Sequence, residues 1–201
     1  METHTQPVGS ADRVLRGLRI TPTTMVVSGL VFAMVTSLVS ARGGVWVLVG
    51  AGCVLATIAC EWGYVAVSDR VGELGRRALV FVPLSNRIAE VAWLYGFWRL
   101  GVPAGVVVAA GAVSFTHEYV RSRAYIAGLR GSGMLTLGEH SGRGWAALAG
   151  YGIAGAVAVT GAPMAEGLGT GLMSIAATAW LLLGVLGLIQ LTIVVSAALR
   201  K

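Results

Sequence analysis

Charge is scarce in this 201-residue chain: Asp, Glu, Lys and Arg together make up 12% of it, about half the share of an ordinary soluble domain. With 56% hydrophobic residues besides, that scarcity excludes a water-soluble globular domain, a disordered tail and a soluble coiled coil. Cysteine is scarce too. The only two, Cys53 and Cys60, lie seven apart in one apolar run, a helical spacing that reads as packing rather than as a disulfide. There is no internal repeat and no low-complexity tract. The first 20 residues are polar, carry Arg13, Arg16 and Arg19, and lack the apolar core of a signal peptide. Acidic residues number 9 against 15 basic ones, for a net charge of +6. The arginines stand at the ends of apolar runs, with no cluster and no basic stripe. That speaks against a nucleic-acid partner and fits the charge bias of membrane proteins.

What the chain has in abundance is apolar sequence, with a mean hydropathy of +0.78. A membrane span needs about 20 apolar residues, and six such segments can be read: Thr21 to Ser40, Val45 to Ser68, Ala78 to Trp98, Val102 to Val120, Gly144 to Ala162 and Thr170 to Leu199. The expected fold is an all-α integral membrane protein with six transmembrane helices and an N-terminal juxtamembrane amphipathic helix. Residues 1–20 would form a cytoplasmic N-terminus with a surface helix over Asp12–Ile20, capped by Asp12. Residues 21–201 would form a single six-span domain. With the N-terminus inside, Arg13, Arg16, Arg19, Arg70, Arg76, Arg77, Arg121, Arg123, Arg130, Arg143, Arg200 and Lys201 all face the cytoplasm. Only Arg42 and Arg99 lie outside, and Arg87 falls within the third span. This bias sets both termini in the cytoplasm, in a bacterial-type inner (plasma) membrane.

A charged group within a bilayer is costly, and by default marks a functional site. The second span carries Glu61. The third carries Asn86, Arg87 and Glu90. The fourth ends with Ser114, His117, Glu118, Arg121 and Arg123. In this topology all fall at similar depth, so three helices would converge on a polar pocket open to the cytoplasm. Asn86 and Glu90 share a helical face, as do Ser114, His117 or Glu118, and Arg121. The competing reading is structural: arginines that snorkel to headgroups and a Glu90 that pairs with Arg87 or a neighbouring arginine. His117 alone reads as a hydrogen-bonded packing residue. Glu61, Glu90 and Glu118 could together hold a hard cation such as Mg²⁺ through oxygen ligands. The arginines at the pocket mouth, Arg121, Arg123 and Arg143 among them, suit a phosphate-bearing nucleotide or lipid. The glycines of Gly128–Gly133 form a turn, with no strand before them to make a phosphate loop.

Over residues 13–145 the order of features resembles the CDP-alcohol phosphotransferase family of membrane enzymes. Thr21-Pro22-Thr23-Thr24 is similar to the family's opening of the first span. Asn86-Arg87 with Glu90 resembles its "DR-x-x-D" stretch. Tyr119-Val120-Arg121-Ser122-Arg123-Ala124 and Gly128 resemble "YVRARAE-x-x-G". Gly138-Glu139-His140 and Arg143 resemble the "x-ER-x-x-R" that follows. The resemblance implies six spans, a CDP-linked donor, Mg²⁺ or Mn²⁺ held by aspartates, and a dimer. The family signature, D-x-x-D-G-x-x-A-R-x8-G-x-x-x-D-x-x-x-D, is mostly lost. Counted back without gaps from Asn86, the aspartate positions hold Glu61, Tyr64, Val82 and Asn86, and the first glycine position holds Val65. A register that instead keeps Gly63 and Ala66 puts Ala59 and Trp62 at the first two aspartates. Either way at least three of the four aspartates are replaced. Val82 cannot ligate a metal, and an amide such as Asn86 cannot act as a base, so metal binding is expected to be weak or absent.

Three functions follow. The first is a CDP-alcohol phosphotransferase-like protein of phospholipid biosynthesis, catalytically impaired or inactive. It keeps a cytoplasm-facing lipid or nucleotide pocket and forms a homodimer or pairs with an active paralogue. The candidates for catalysis are Glu61, Asn86 and Glu90, and for substrate binding His117, Glu118, Arg121, Arg123 and Arg143. The second is an active phosphatidyltransferase with a metal site rebuilt from Glu61, Glu90 and Glu118. The third is a small transporter or lipid-binding scaffold, which the absence of internal symmetry disfavours.

Overall fold

The computed structural model describes residues 21–71, 78–129, 139–161 and 165–200. The expected surface helix over Asp12–Ile20 lies outside them. So do Arg13, Arg16, Arg19, Arg76, Arg77, Arg130, Gly131–Gly133, Gly138 and Lys201, together with the side chain of Arg70. Among the described residues the protein is all-helical, with six helices: α1 (Pro22–Ser40), α2 (Trp46–Val71), α3 (Ala78–Arg99), α4 (Ala104–Ile126), α5 (His140–Val159) and α6 (Ala165–Ala198). Three of them, Pro22–Ser40, Trp46–Ser68 within α2 and Gly167–Ala198 within α6, are long and apolar enough to cross a membrane. They mark a membrane-embedded protein.

Local chemistry sets the helix ends. Thr21 caps α1: its Oγ1 accepts from the Thr24 backbone N–H at 3.2 Å, and Thr24 Oγ1 accepts from the Thr21 N–H at 2.9 Å. With Pro22 at the first helical position this is a reciprocal capping box. The Thr21–Thr24 sequence therefore has a purely local explanation beside its family resemblance. Helix α4 runs on to Ile126, six residues past the expected end at Val120. It stops where Gly128, at φ 91°, lets the Leu129 N–H reach Ala124 O and the Gly128 N–H reach Tyr125 O, the paired bonds of a glycine-terminated helix. Gly128 thus ends a helix.

Helix α3 is central. It packs against α1 and touches α4, α5 and α6; α2 lies on α1 and α5, and α6 on α4 and α5. Its inner face presents Ala89, Trp93 and Phe97, all buried, and meets Tyr151, Met173 and Trp180. Gly96 is required there, because a Cβ would collide with the Tyr151 hydroxyl, which donates to the Trp93 carbonyl at 2.7 Å. Gly155 lets α5 approach α2, since a Cβ would stand 2.6 Å from the Leu48 backbone nitrogen. Two pairs of small residues four apart stand on α5: Gly150 and Ala154 are buried against neighbouring helices, and Gly152 and Ala156 line a shallow apolar groove on the surface.

Polarity is arranged inside out. On α3 the exposed side chains include Val80, Phe81, Leu84, Ile88, Val91 and Trp98, while Arg87 and Glu90 are buried. His117 and Ser114 on α4 and Arg143 on α5 are buried likewise.

Candidate functional site

Helices α2 and α3 both lean on α1 but scarcely touch each other. The gap between them is a cavity of about 260 Å³, floored by α1 and closed by the start of α5. From α1 it is lined only by apolar residues and glycine, Met25, Val26, Gly29 and Leu30. The other helices bring Thr57, Glu61, Tyr64, Ser85, Asn86, His140 and Ser141, with Val65 and Val82 among them. Cys60 also lines it. Pro83 lies in α3 within this wall, where it removes one rung of the helical hydrogen-bond ladder.

His140, the first residue of α5, bridges the gap. Its Nε2 lies 2.6 Å from Glu61 Oε1 on α2, and its Nδ1 lies 2.6 Å from Glu90 Oε1 on α3. Each of these short contacts needs one proton. An imidazolium between two ionised carboxylates supplies both. With Nδ1 donating to Glu90, the 3.4 Å approach of Arg87 Nη2 to the same nitrogen is a proximity and not a hydrogen bond. The imidazole also stacks on Trp93, with centroids 5.9 Å apart and planes 14° from parallel.

Behind the bridge sits Glu90, only 1% exposed. Arg87 Nη1 lies 2.6 Å from its Oε2, and Arg143 Nη1 lies 2.9 Å from both oxygens. Three cationic side chains therefore converge on one carboxylate, whose acceptor capacity of about four lone-pair sites is taken up. Arg87 Nη1 also donates to Ser114 O at 3.3 Å, and Trp180 Nε1 donates to Ser114 Oγ at 3.0 Å. The helical spacing does this placing. Arg87 and Glu90, like His140 and Arg143, are three apart, so each pair shares a face.

The expected site residues separate into groups. Glu61 and Asn86 line the cavity. Glu90 and Arg143 are buried behind it, Arg143 only 1% exposed. His117 is fully buried on α4. Glu118 is half-buried next to it and forms no ion pair among the described residues. Arg121 pairs with Glu139 at 3.1 Å. Arg123 lies over the Tyr119 ring, 5.2 Å from its centroid. None of Arg121, Arg123 and Arg143 lines the cavity. His140 carries no site role in the sequence, because it precedes the apolar run of the fifth span, although it stands in the Glu139-His140-x-x-Arg143 stretch of the family resemblance. That match and its spacing of three from Arg143 are the signals it offers.

In the ungapped register Glu61, Tyr64, Val65, Val82 and Asn86 all line the one cavity. In the other, which shares Val82 and Asn86, Trp62 lines the cavity as well, while Ala59 and Ala66 are exposed on the far side of α2. A divalent cation fits this set poorly. Of the four aspartate positions only Glu61 is a carboxylate, and its Oε1 is engaged by His140. Glu90 is saturated, and Glu118 does not line the cavity. Among the described residues no three His, Cys, Asp or Glu side chains are gathered as a metal centre. No protein-family model matches the chain, and neither does any curated protein.

Proposed function

We propose that this chain is a six-span membrane protein of the CDP-alcohol phosphotransferase type that has lost metal-dependent transfer and keeps the pocket as a binding site for a CDP-linked lipid or a related amphiphile. The observation that carries the reading is that the four ungapped aspartate positions, Glu61, Tyr64, Val82 and Asn86, all line one cavity, with a carboxylate left only at Glu61. A cavity apolar on the α1 side and polar toward Glu61, Asn86 and His140 suits a molecule with an acyl chain and a polar head. Transfer needs a base for the acceptor hydroxyl. Asn86 has no basic group, and Glu61 is already hydrogen-bonded to His140.

Six spans are supported by α3, α4 and α5 as well as by the three most apolar helices. At 22, 23 and 20 residues they rise about 30 Å, the thickness of a bilayer core. Arg87, Glu90 and Arg143 are buried, Arg99 and Arg123 are exposed near helix ends, and large apolar side chains stand on the outer faces between. The basic residues then orient the chain with both termini in the cytoplasm.

Cys60 offers a direct test, because it lines the cavity. In a Cys53→Ser variant it is the only thiol. Its labelling by a methanethiosulfonate reagent is expected to slow severalfold when CDP-diacylglycerol is added to the micelles, and less with diacylglycerol alone. A labelling rate indifferent to saturating CDP-diacylglycerol overturns the reading.

A further inference from the structure

Two carboxylates, Glu61 on the cavity wall and Glu90 buried behind it, stand on helices that scarcely touch and flank one imidazole at the start of α5. Their repulsion must be offset by positive charge between them. We propose that His140, backed by Arg87 and Arg143, is a resident cation set that stands where the metal implied by the family resemblance would stand, and that it is the positioning residue for Glu61 on the cavity wall.

The contact geometry carries this. The two nitrogens of one imidazole engage Glu61 and Glu90 at 2.6 Å each, so His140 ties α2 to α3 where the helices themselves do not pack. Glu90 cannot take a metal as well, since Arg87, Arg143 and His140 already occupy its oxygens. Glu61 is different. Its side chain is 27% exposed, and His140 is its one ion-pair partner among the described residues. Loss of the imidazole would leave Glu61 uncompensated next to a newly opened space, with Asn86 on the same cavity wall. Oxygen donors beside an open space are what a hard cation seeks. On this proposal the wild-type protein is metal-indifferent for two reasons together: three aspartate positions hold no carboxylate, and His140 takes the one carboxylate that remains.

The inference rests on the pocket reading only for its comparison with a metal site, and its test uses no lipid ligand. Thermal unfolding of the full chain in detergent would be followed with EDTA, Mg²⁺ or Mn²⁺, with bound Mn²⁺ counted by electron paramagnetic resonance. The wild-type midpoint is expected to be the same in all three, with no tightly bound Mn²⁺. His140→Ala is expected to unfold earlier in EDTA, to bind Mn²⁺ and to recover part of the lost midpoint on binding. In Glu61→Ala/His140→Ala the Mn²⁺ response is expected to vanish. A His140→Ala protein indifferent to Mn²⁺ overturns the proposal. So does a wild-type protein stabilised by Mn²⁺ in a way that Glu61→Gln abolishes, and this arm decides even if His140→Ala fails to fold. Should Cys60 protection fail while the Mn²⁺ pattern holds, the lipid reading falls and the assignment of His140 stands.

Discussion

Glu90→Ala is expected to destabilise the folded protein by roughly 3–5 kcal/mol, the cost of removing one partner from a buried ionic cluster. The reason is the company Glu90 keeps. Arg87 and Arg143 are 6% and 1% exposed, and in the variant both guanidinium groups remain in the interior without the carboxylate that neutralises them. His140 loses one of its two acceptors at the same time. Glu61→Ala removes a carboxylate from the same network but from the cavity wall, where water or a ligand headgroup can replace part of what is lost. Its effect is expected to be clearly smaller. Reversible unfolding in mixed micelles, read by circular dichroism, gives both values under one condition. Equal losses for the two variants would show that Glu90 is no keystone and that the charge is shared evenly along the network.

Trp93→Ala is expected to cost about as much, roughly 3–5 kcal/mol, as other buried tryptophan truncations do. Trp93 is fully buried. Its ring meets Trp180 edge-on with centroids 6.4 Å apart and stacks on His140, so the variant opens a cavity and frees the bridging imidazole together. Trp180→Ala is the matched comparison. Trp180 is equally buried and donates to Ser114; its ring contacts among the described residues are with Trp93 and Phe97. Both variants are expected to lose stability, but only Trp93→Ala should also disturb the site, read as faster labelling of Cys60. Matching Cys60 rates in the two would remove Trp93 from the account of the site.

Most of the helical architecture was legible because a hydrocarbon environment imposes one rule on sequence, long apolar runs broken by short polar turns. The six runs located the six helices. Their ends were less legible where a helix continues past its apolar stretch. Helix α4 carries Arg121 and Arg123 on such an extension, and α5 begins at His140, four residues before the expected Gly144. For the same reason His140, though part of the Glu139-His140-x-x-Arg143 stretch, shows no site role in the sequence. The depth argument placed Glu61 and Glu90 near each other, and they do meet, but through a third residue on a different helix. What faces what across helices follows from crossing angles and close approaches, such as that of Gly155 on Leu48, and no periodicity in one segment reveals those. Arg143 illustrates the difference between a residue type and its setting. As an arginine near a pocket mouth it suits an anionic ligand. In the fold it is committed to Glu90.

Under the proposed function the cavity binds a CDP-linked lipid without releasing CMP. The most direct measurement is an equilibrium titration of the purified protein with CDP-diacylglycerol in Mg²⁺ and in Mn²⁺, with an alcohol acceptor present and CMP release followed in the same samples. Saturable binding that is independent of the metal, with CMP no higher than in protein-free micelles, is the expected result. Metal-dependent CMP release that disappears in Glu61→Gln would contradict it, and would show that a working site is assembled around Glu61 after all.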